Sequence, residues 1–107
     1  MQYRLMNDYS ADWPFWGGKE GAGLCADDDP VLPAETAAAA RVWAAQFNEL
    51  FDWQYGWPDA ATAVAHEEEA RRLFEEVKRA LPGDHVVLQY WERAYREGPG
   101  AGPDQAG

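Results

Sequence analysis

The feature that most constrains this chain is the source of its buried apolar area. The sequence has no isoleucine, seven leucines and six valines, but it has six Trp, five Tyr and four Phe. Its length of 107 residues allows one small domain. Because each aromatic ring buries roughly 150–250 Å², a handful of rings must supply most of the core of such a domain.

The charge balance excludes several classes of partner. The chain carries 19 acidic and 9 basic residues, a formal net charge of -10. Nucleic-acid binding and attachment to anionic membranes both rely on clustered Lys and Arg, so neither is expected. No apolar run approaches the roughly 20 residues that span a bilayer, and the opening residues 1–5 lack the apolar segment of a secretory signal. We therefore expect a cytoplasmic protein.

Two helices are predicted in the middle of the chain. The first runs from about Ala34 to Phe51 and carries an apolar stripe at helical spacing. The second begins after Asp59, a plausible N-cap, and ends before Pro82. Its outer face pairs a glutamate with an arginine four residues later, a spacing that supports a solvated helix. These pairs are Glu67/Arg71, Glu68/Arg72 and Glu75/Arg79.

Strands are predicted on both sides of this helix pair. Residues 3–9 alternate weakly, and residues 85–91 are rich in strand formers. The fold class is therefore α+β: a β-α-α-β domain over 1–97, with the helix hairpin packed on a short two- or three-stranded sheet. Two strands are marginal alone, so either the loop at 10–33 or a partner adds a third, and a homodimer through a sheet edge is possible. The Gly/Pro-rich tail at 98–107 is expected to be disordered.

The polar residues give little support to catalysis or metal binding. The run Asp27 to Asp29 lacks the shaping glycine and distant ligand of a calcium loop, and a solvated acidic loop is the simpler interpretation. His66 and Glu67 begin like a zinc-protease helix, but the second histidine is missing. We expect His66 to be a hydrogen-bonded core or rim residue and His85 to lie at the surface. The single Cys25 sits beside aspartates, which disfavour a reactive thiolate. No cofactor, metal or catalytic residue is predicted.

Two aromatic clusters remain to be explained. One lies in the long loop and the other in the turn between the helices, and acidic residues flank both. In one interpretation the rings close a small core; in the other, some stay exposed as anchors for a partner, with the acids steering a basic protein. The candidate partner-binding residues are Trp13, Phe15, Trp16, Asp27, Asp28, Asp29, Asp52, Trp53, Tyr55 and Trp57.

The positions of these aromatic residues also carry a resemblance. The opening Tyr3-Arg4-Leu5, Asp8-Tyr9 and Trp13-Pro14-Phe15-Trp16, the middle segment from Phe47 to Trp57, and Tyr90-Trp91 resemble small uncharacterised proteins of high-GC actinobacteria. The likeness covers residues 3–91, and only the first block is specific. That group has no assigned activity, so the resemblance implies no function. In size and charge alone, the chain is also similar to immunity proteins encoded beside bacterial toxins.

Two functions of different classes follow. The first is an acidic, non-enzymatic interaction module of the immunity or inhibitor type, which binds a basic protein and blocks it sterically. The alternative is a small-molecule or carbohydrate-binding domain, or a minor enzyme, with a pocket walled by tryptophans. Mimicry of nucleic acid is weaker, because the acids do not form helical rows.

Overall fold

Three short strands and two long helices form the fold in the computed structural model, which describes residues 1–96. A single 3-10 turn follows the second strand within this part of the chain. The elements are β1 (Gln2–Leu5), β2 (Phe15–Gly17), the 3-10 turn (Gly18–Glu20), α1 (Ala34–Leu50), α2 (Ala60–Ala80) and β3 (His85–Leu88). The predicted α+β class, with a helix hairpin on a short sheet, is confirmed. The predicted tail at 98–107 lies outside the described residues.

The sheet has the order β2-β1-β3, with β1 in the centre. β1 pairs with β2 antiparallel, with Leu5 opposite Phe15, and with β3 parallel, with Leu5 opposite Leu88. The long loop therefore supplies the third strand, which was one of the two alternatives. A bridge between Trp16 and Leu24 then covers part of the outer edge of β2.

The helix boundaries follow their local signals closely. Asp59 caps α2, because its carboxylate accepts a hydrogen bond from the Thr62 amide at 2.7 Å. That hydrogen bond holds the pKa of Asp59 below its usual value. α1 begins after Pro33 and ends one residue before the predicted Phe51.

The ion pairs on α2 agree only in part with the predicted spacing. Arg71 and Glu67 pair at 2.8 Å. The other two predicted pairs are wrong, because Arg72 forms its ion pairs with Glu69 and Glu76. Glu75 pairs with Lys78 instead of Arg79. On a helix, a side chain is a neighbour of the residues three and four positions away alike. Sequence spacing alone therefore does not show which of the two possible ion pairs forms.

Aromatic rings dominate the interior, as the composition requires. The main core packs Leu5 and Phe15 of the sheet with Trp43 and Leu73 of the helices. A second buried cluster, at the end of the hairpin where α1 gives way to α2, contains Phe47, Trp57 and Ala63. The aromatic residues outside the strands and helices therefore divide between these clusters and the surface around them.

Candidate protein-interaction surface

Three of the predicted binding rings are buried inside the fold. Trp13 packs on Phe15 with ring centroids 4.8 Å apart, and its indole N–H donates to the Asp29 carbonyl at 2.9 Å. Trp57 donates to the Glu92 carbonyl at 2.8 Å. All three rings are at most 2% exposed. In this conformation they stabilise the core and are not available to a partner, because a chain without isoleucine needs them for buried area.

The aspartate run divides between the interior and the surface. Asp29 is buried and accepts hydrogen bonds from the Tyr3 hydroxyl at 2.5 Å and the Lys19 amide at 3.1 Å. Burial alone would raise the pKa of Asp29, but these two hydrogen bonds outweigh it and hold the pKa below its usual value. Asp27 and Asp28 have exposed side chains. Among residues 1–96, no group of three acidic, histidine or cysteine side chains is placed to hold a metal ion.

Trp16 lies apart from the other candidates. It is half-buried on the side of the sheet away from the helices, where it lines a shallow depression with Arg4 and Val87. Its indole N–H donates to the Met6 carbonyl at 3.0 Å. The structure therefore does not bring Trp16 together with the aromatic residues of the inter-helix turn.

The turn between the helices presents the most exposed tryptophan. Asp52 and Gly56 exchange two backbone hydrogen bonds, of 2.9 and 2.7 Å. The Asp52 carboxylate accepts further hydrogen bonds from the amides of Gln54 at 2.7 Å and Tyr55 at 3.0 Å. Trp53 lies within this closed turn with 79% of its surface exposed, and Tyr55 is 47% exposed. The sequence thus builds a turn whose backbone is fixed and whose rings face solvent.

A continuous aromatic surface lies beside this turn. Tyr9 contacts Phe51 and Trp91, with ring centroids 6.4 and 5.9 Å apart, and Phe51 contacts Trp91 at 5.5 Å. Tyr9 is 47% exposed and Trp91 is 37% exposed. We call these three residues, together with Trp53 and Tyr55, the aromatic end.

Sequence reasoning missed three members of the aromatic end, Tyr9, Phe51 and Trp91, and it placed Phe51 only on the apolar stripe of the first helix. Tyr9 and Trp91 are far from the inter-helix turn in the sequence, and only the sheet brings both of them to it. One signal was present for Trp91: the sequence predicts a strand over residues 85–91, in which Trp91 neighbours Tyr90. Neighbouring side chains in extended backbone face opposite ways, so one of this pair had to face outward.

Acidic groups surround the aromatic end. Partial burial raises the pKa of the Tyr9 hydroxyl, and the negative charges of Asp8, Asp52 and Glu92 raise it further. Glu92 is fully buried and accepts a hydrogen bond from the Asn7 amide at 2.9 Å, and burial raises the pKa of its carboxyl. One cation also lies here, since the Arg96 guanidinium covers the Tyr55 ring at 4.7 Å.

The chain matches a known protein family over most of its length. A family model described as Serratia CdiI immunity protein-like matches residues 1–93. The chain belongs to this family. The match covers every strand and helix of the described fold. A search of curated proteins found no match.

Membership of an immunity-protein-like family bears on what the chain does. It implies binding to a protein partner, a toxin, and it suggests an interaction module rather than an enzyme. Neither helix in the described part of the chain combines the length and apolar character needed to cross a membrane.

Proposed function

We propose that this chain is an immunity protein that binds a basic toxin through the aromatic end and neutralises it by steric occlusion. The observation that carries the proposal is Trp53, which is 79% exposed within a turn closed by backbone hydrogen bonds. Tyr55 and Tyr9 of the aromatic end are exposed as well, and a patch of exposed rings is typical of a protein-interaction site.

The geometry of the turn suits an anchor residue. Tryptophan and tyrosine are enriched among the few interface residues that carry most binding energy. Because Asp52 already fixes the turn through the amides of Gln54 and Tyr55, little backbone entropy is lost when Trp53 is covered. Preorganisation of this kind raises affinity without new contacts.

The charge of the chain supports a basic partner. The net charge is -10, and the exposed Asp27 and Asp28 make no ion pair with any basic group among residues 1–96. Such charges attract a basic protein over a distance and speed its association. Trp16 lies on the outer side of the sheet, apart from the aromatic end. Its role as a further contact with the partner therefore stays a prediction.

The first experiment identifies the partner. Tagged protein is recovered at low salt from the cells that produce it, and any stoichiometric partner is identified by mass spectrometry. The proposal expects a basic protein whose recovery falls at high salt, because the distance over which charges act shortens from about 10 Å at 0.1 M to about 3 Å at 1 M salt. It also expects that the captured protein inhibits growth when produced alone and not when this chain is co-produced.

Two variants then test the surface. Trp53→Ala should lose both capture and protection, whereas Val64→Ala should keep both. Val64 is also exposed, by 57%, but it lies on α2 outside the aromatic end. A captured protein that is not toxic, or protection that survives Trp53→Ala unchanged, would contradict the proposal.

A further inference from the structure

A groove runs along the outer side of the helix hairpin, away from the sheet. It has a volume of about 670 Å³, and its lining is mostly apolar. α1 contributes Ala38, Val42 and Leu50, while α2 contributes Ala61 and Ala65. From Ala38 to Leu50, the groove follows α1 for about 18 Å at the helical rise of 1.5 Å per residue.

The groove has a rigid base and an exposed rim. Trp43, Trp57 and His66 close its base and are nearly or fully buried, so their packing fixes its shape. On the rim, Val42 is 57% exposed and Leu50 is 42% exposed. The small alanines between the helices leave room for another backbone to approach closely.

Glutamates without a cationic partner flank the groove. Glu35 and Glu49 lie seven residues before and after Val42, on the same face of α1. Glu68 lies one turn beyond Ala65 on α2. In the part of the chain that the structure describes, no basic group lies within ion-pair distance of these three glutamates.

The arginines near the groove are already engaged. Arg41 covers the Trp13 ring at 4.5 Å, on the other side of α1. Arg72 pairs with Glu69 and Glu76 on α2 itself. The groove is thus mostly apolar in its lining and negative at its rim.

This chemistry discriminates among possible occupants. A second copy of the chain would place the same glutamates against each other, and like charges facing each other across an interface are unfavourable. Residues 97–107 of the chain contain no large apolar side chain and no basic residue, so they would leave both the groove and its charges unsatisfied. A basic segment with apolar residues on one face satisfies both.

We propose that the groove receives an amphipathic, basic helix of the toxin, which adds a third helix to the hairpin. A helix of this kind binds a groove through apolar residues spaced at i, i+4 and i+7, and its lysines and arginines would face Glu35, Glu49 and Glu68. Leu50 lines the groove and Phe51 belongs to the aromatic end, so one partner can cover both surfaces. The inference rests on the proposed function, because it assumes the same basic partner.

The test uses a synthetic peptide and the full chain. The peptide is a helix of about four turns, with three leucines on one face and lysines elsewhere. Its matched control replaces the leucines by serines and keeps the charge. Binding is measured by titration calorimetry, and the site is located by NMR shifts of the Ala38, Ala61 and Ala65 methyl groups.

Two variants on α2 separate the groove from general attraction between opposite charges. Ala65→Arg places a cation and a long side chain in the groove, whereas Val64→Arg adds the same group at an exposed position outside it. We expect the leucine peptide to shift the groove methyl groups, the serine peptide to bind at least about tenfold more weakly, and Ala65→Arg to weaken leucine-peptide binding by at least about tenfold. Val64→Arg should change binding by less than about twofold.

Several results would overturn the inference. They are absence of leucine-peptide binding to the wild-type chain, equal binding of both peptides, or equal effects of the two arginine variants. If any of these occurs while Trp53→Ala still abolishes toxin capture, the groove assignment fails and the proposed function stands. If Trp53→Ala leaves toxin capture unchanged while the peptide binds as expected, the assignment of the aromatic end as the toxin-binding surface fails instead.

Discussion

Trp43 of α1 and His66 of α2 hold the two helices together by a reciprocal contact. Their rings stack with centroids 5.0 Å apart and planes 8° from parallel. The Trp43 indole N–H donates to the His66 carbonyl at 3.2 Å, and the His66 Nε2–H donates to the Trp43 carbonyl at 3.3 Å. Because a carbonyl only accepts, His66 carries its hydrogen on Nε2, and its Nδ1 accepts from the Tyr90 hydroxyl at 3.1 Å.

This arrangement predicts a loss of stability on acidification. Burial lowers the pKa of His66 from 6.5 to about 4 in the folded chain. Unfolded His66 therefore takes up a proton near pH 6.5 while folded His66 stays neutral, so its contribution falls as the pH drops from 6.5 towards 4. At pH 5 the loss amounts to about 2 kcal/mol in the free energy of unfolding. Urea unfolding at pH 7 and pH 5 measures it.

Variants isolate this effect from that of other titrating groups. The raised pKa of Glu92 acts in the opposite direction, because a folded state that holds a proton more tightly gains stability as the pH falls. The loss due to His66 is therefore taken as the difference between the wild type and His66→Gln. Val64→Gln, at an exposed position on α2, introduces the same side chain without removing a titratable group and should keep the wild-type pH dependence. Equal pH dependence in the wild type and His66→Gln would show that His66 is not held neutral.

The two tryptophans of the inter-helix segment should differ sharply in their effect on stability. Trp57 is fully buried and its indole donates to the Glu92 carbonyl. Trp57→Ala should lower the free energy of unfolding by about 3–5 kcal/mol. Trp53→Ala removes a ring that is 79% exposed and should change it by less than about 0.5 kcal/mol. Chemical denaturation of both variants checks the prediction, and similar losses would contradict the assigned burial.

Gly56 should be intolerant of any side chain. Its φ is +80°, and a Cβ there would lie 2.2 Å from the Ala94 carbonyl oxygen. Gly56→Ala therefore combines backbone strain with a clash and should cost about 2 kcal/mol or more. Gly83→Ala is the control, because no atom lies within 4 Å of its Cβ position. Thermal melts of the two variants should separate clearly, and equal melting temperatures would disprove the close approach of the turn to Ala94.

The hydroxyl of Tyr3 should help to hold down the pKa of buried Asp29. Tyr3→Phe removes one of the two hydrogen bonds that oppose the effect of burial, so the pKa of Asp29 should rise. The loss of stability should be about 1–3 kcal/mol near neutral pH and should become smaller in acid as the Asp29 carboxyl is protonated. NMR titration of the Asp29 carboxyl measures the pKa directly. Tyr95→Phe, at a ring that is 46% exposed, should leave it unchanged.

The helices were predicted well because a helix begins and ends at signals from residues close together in the sequence. Each of these signals acts within a few residues: the stripe on α1, the Asp59 cap and the turn at Pro82. Both helices begin and end within about two residues of the predicted positions. The prediction that His66 is a buried, hydrogen-bonded histidine is confirmed for the same reason, since it lies on the inner stripe of α2.

The candidate surface was harder to predict because it is assembled from distant segments. Sequence alone could not distinguish exposed Trp53 from buried Trp57, since both lie in one short segment of mixed strand and turn character. It also gave no reason to join Tyr9 and Trp91 to that segment, because the contact depends on the parallel pairing of β1 with β3. The resemblance to actinobacterial proteins stays a prediction.

The toxin-binding role of the aromatic end is tested most directly by the affinity of the captured toxin for the wild-type chain and for Trp53→Ala. Circular dichroism should first show that the variant is folded, as expected for so exposed a side chain. We predict that the variant binds more weakly by more than about 2 kcal/mol, which is roughly thirtyfold in Kd, and that Val64→Ala binds like the wild type. Equal affinity of Trp53→Ala and the wild-type chain would contradict the assignment of the aromatic end as the toxin-binding surface.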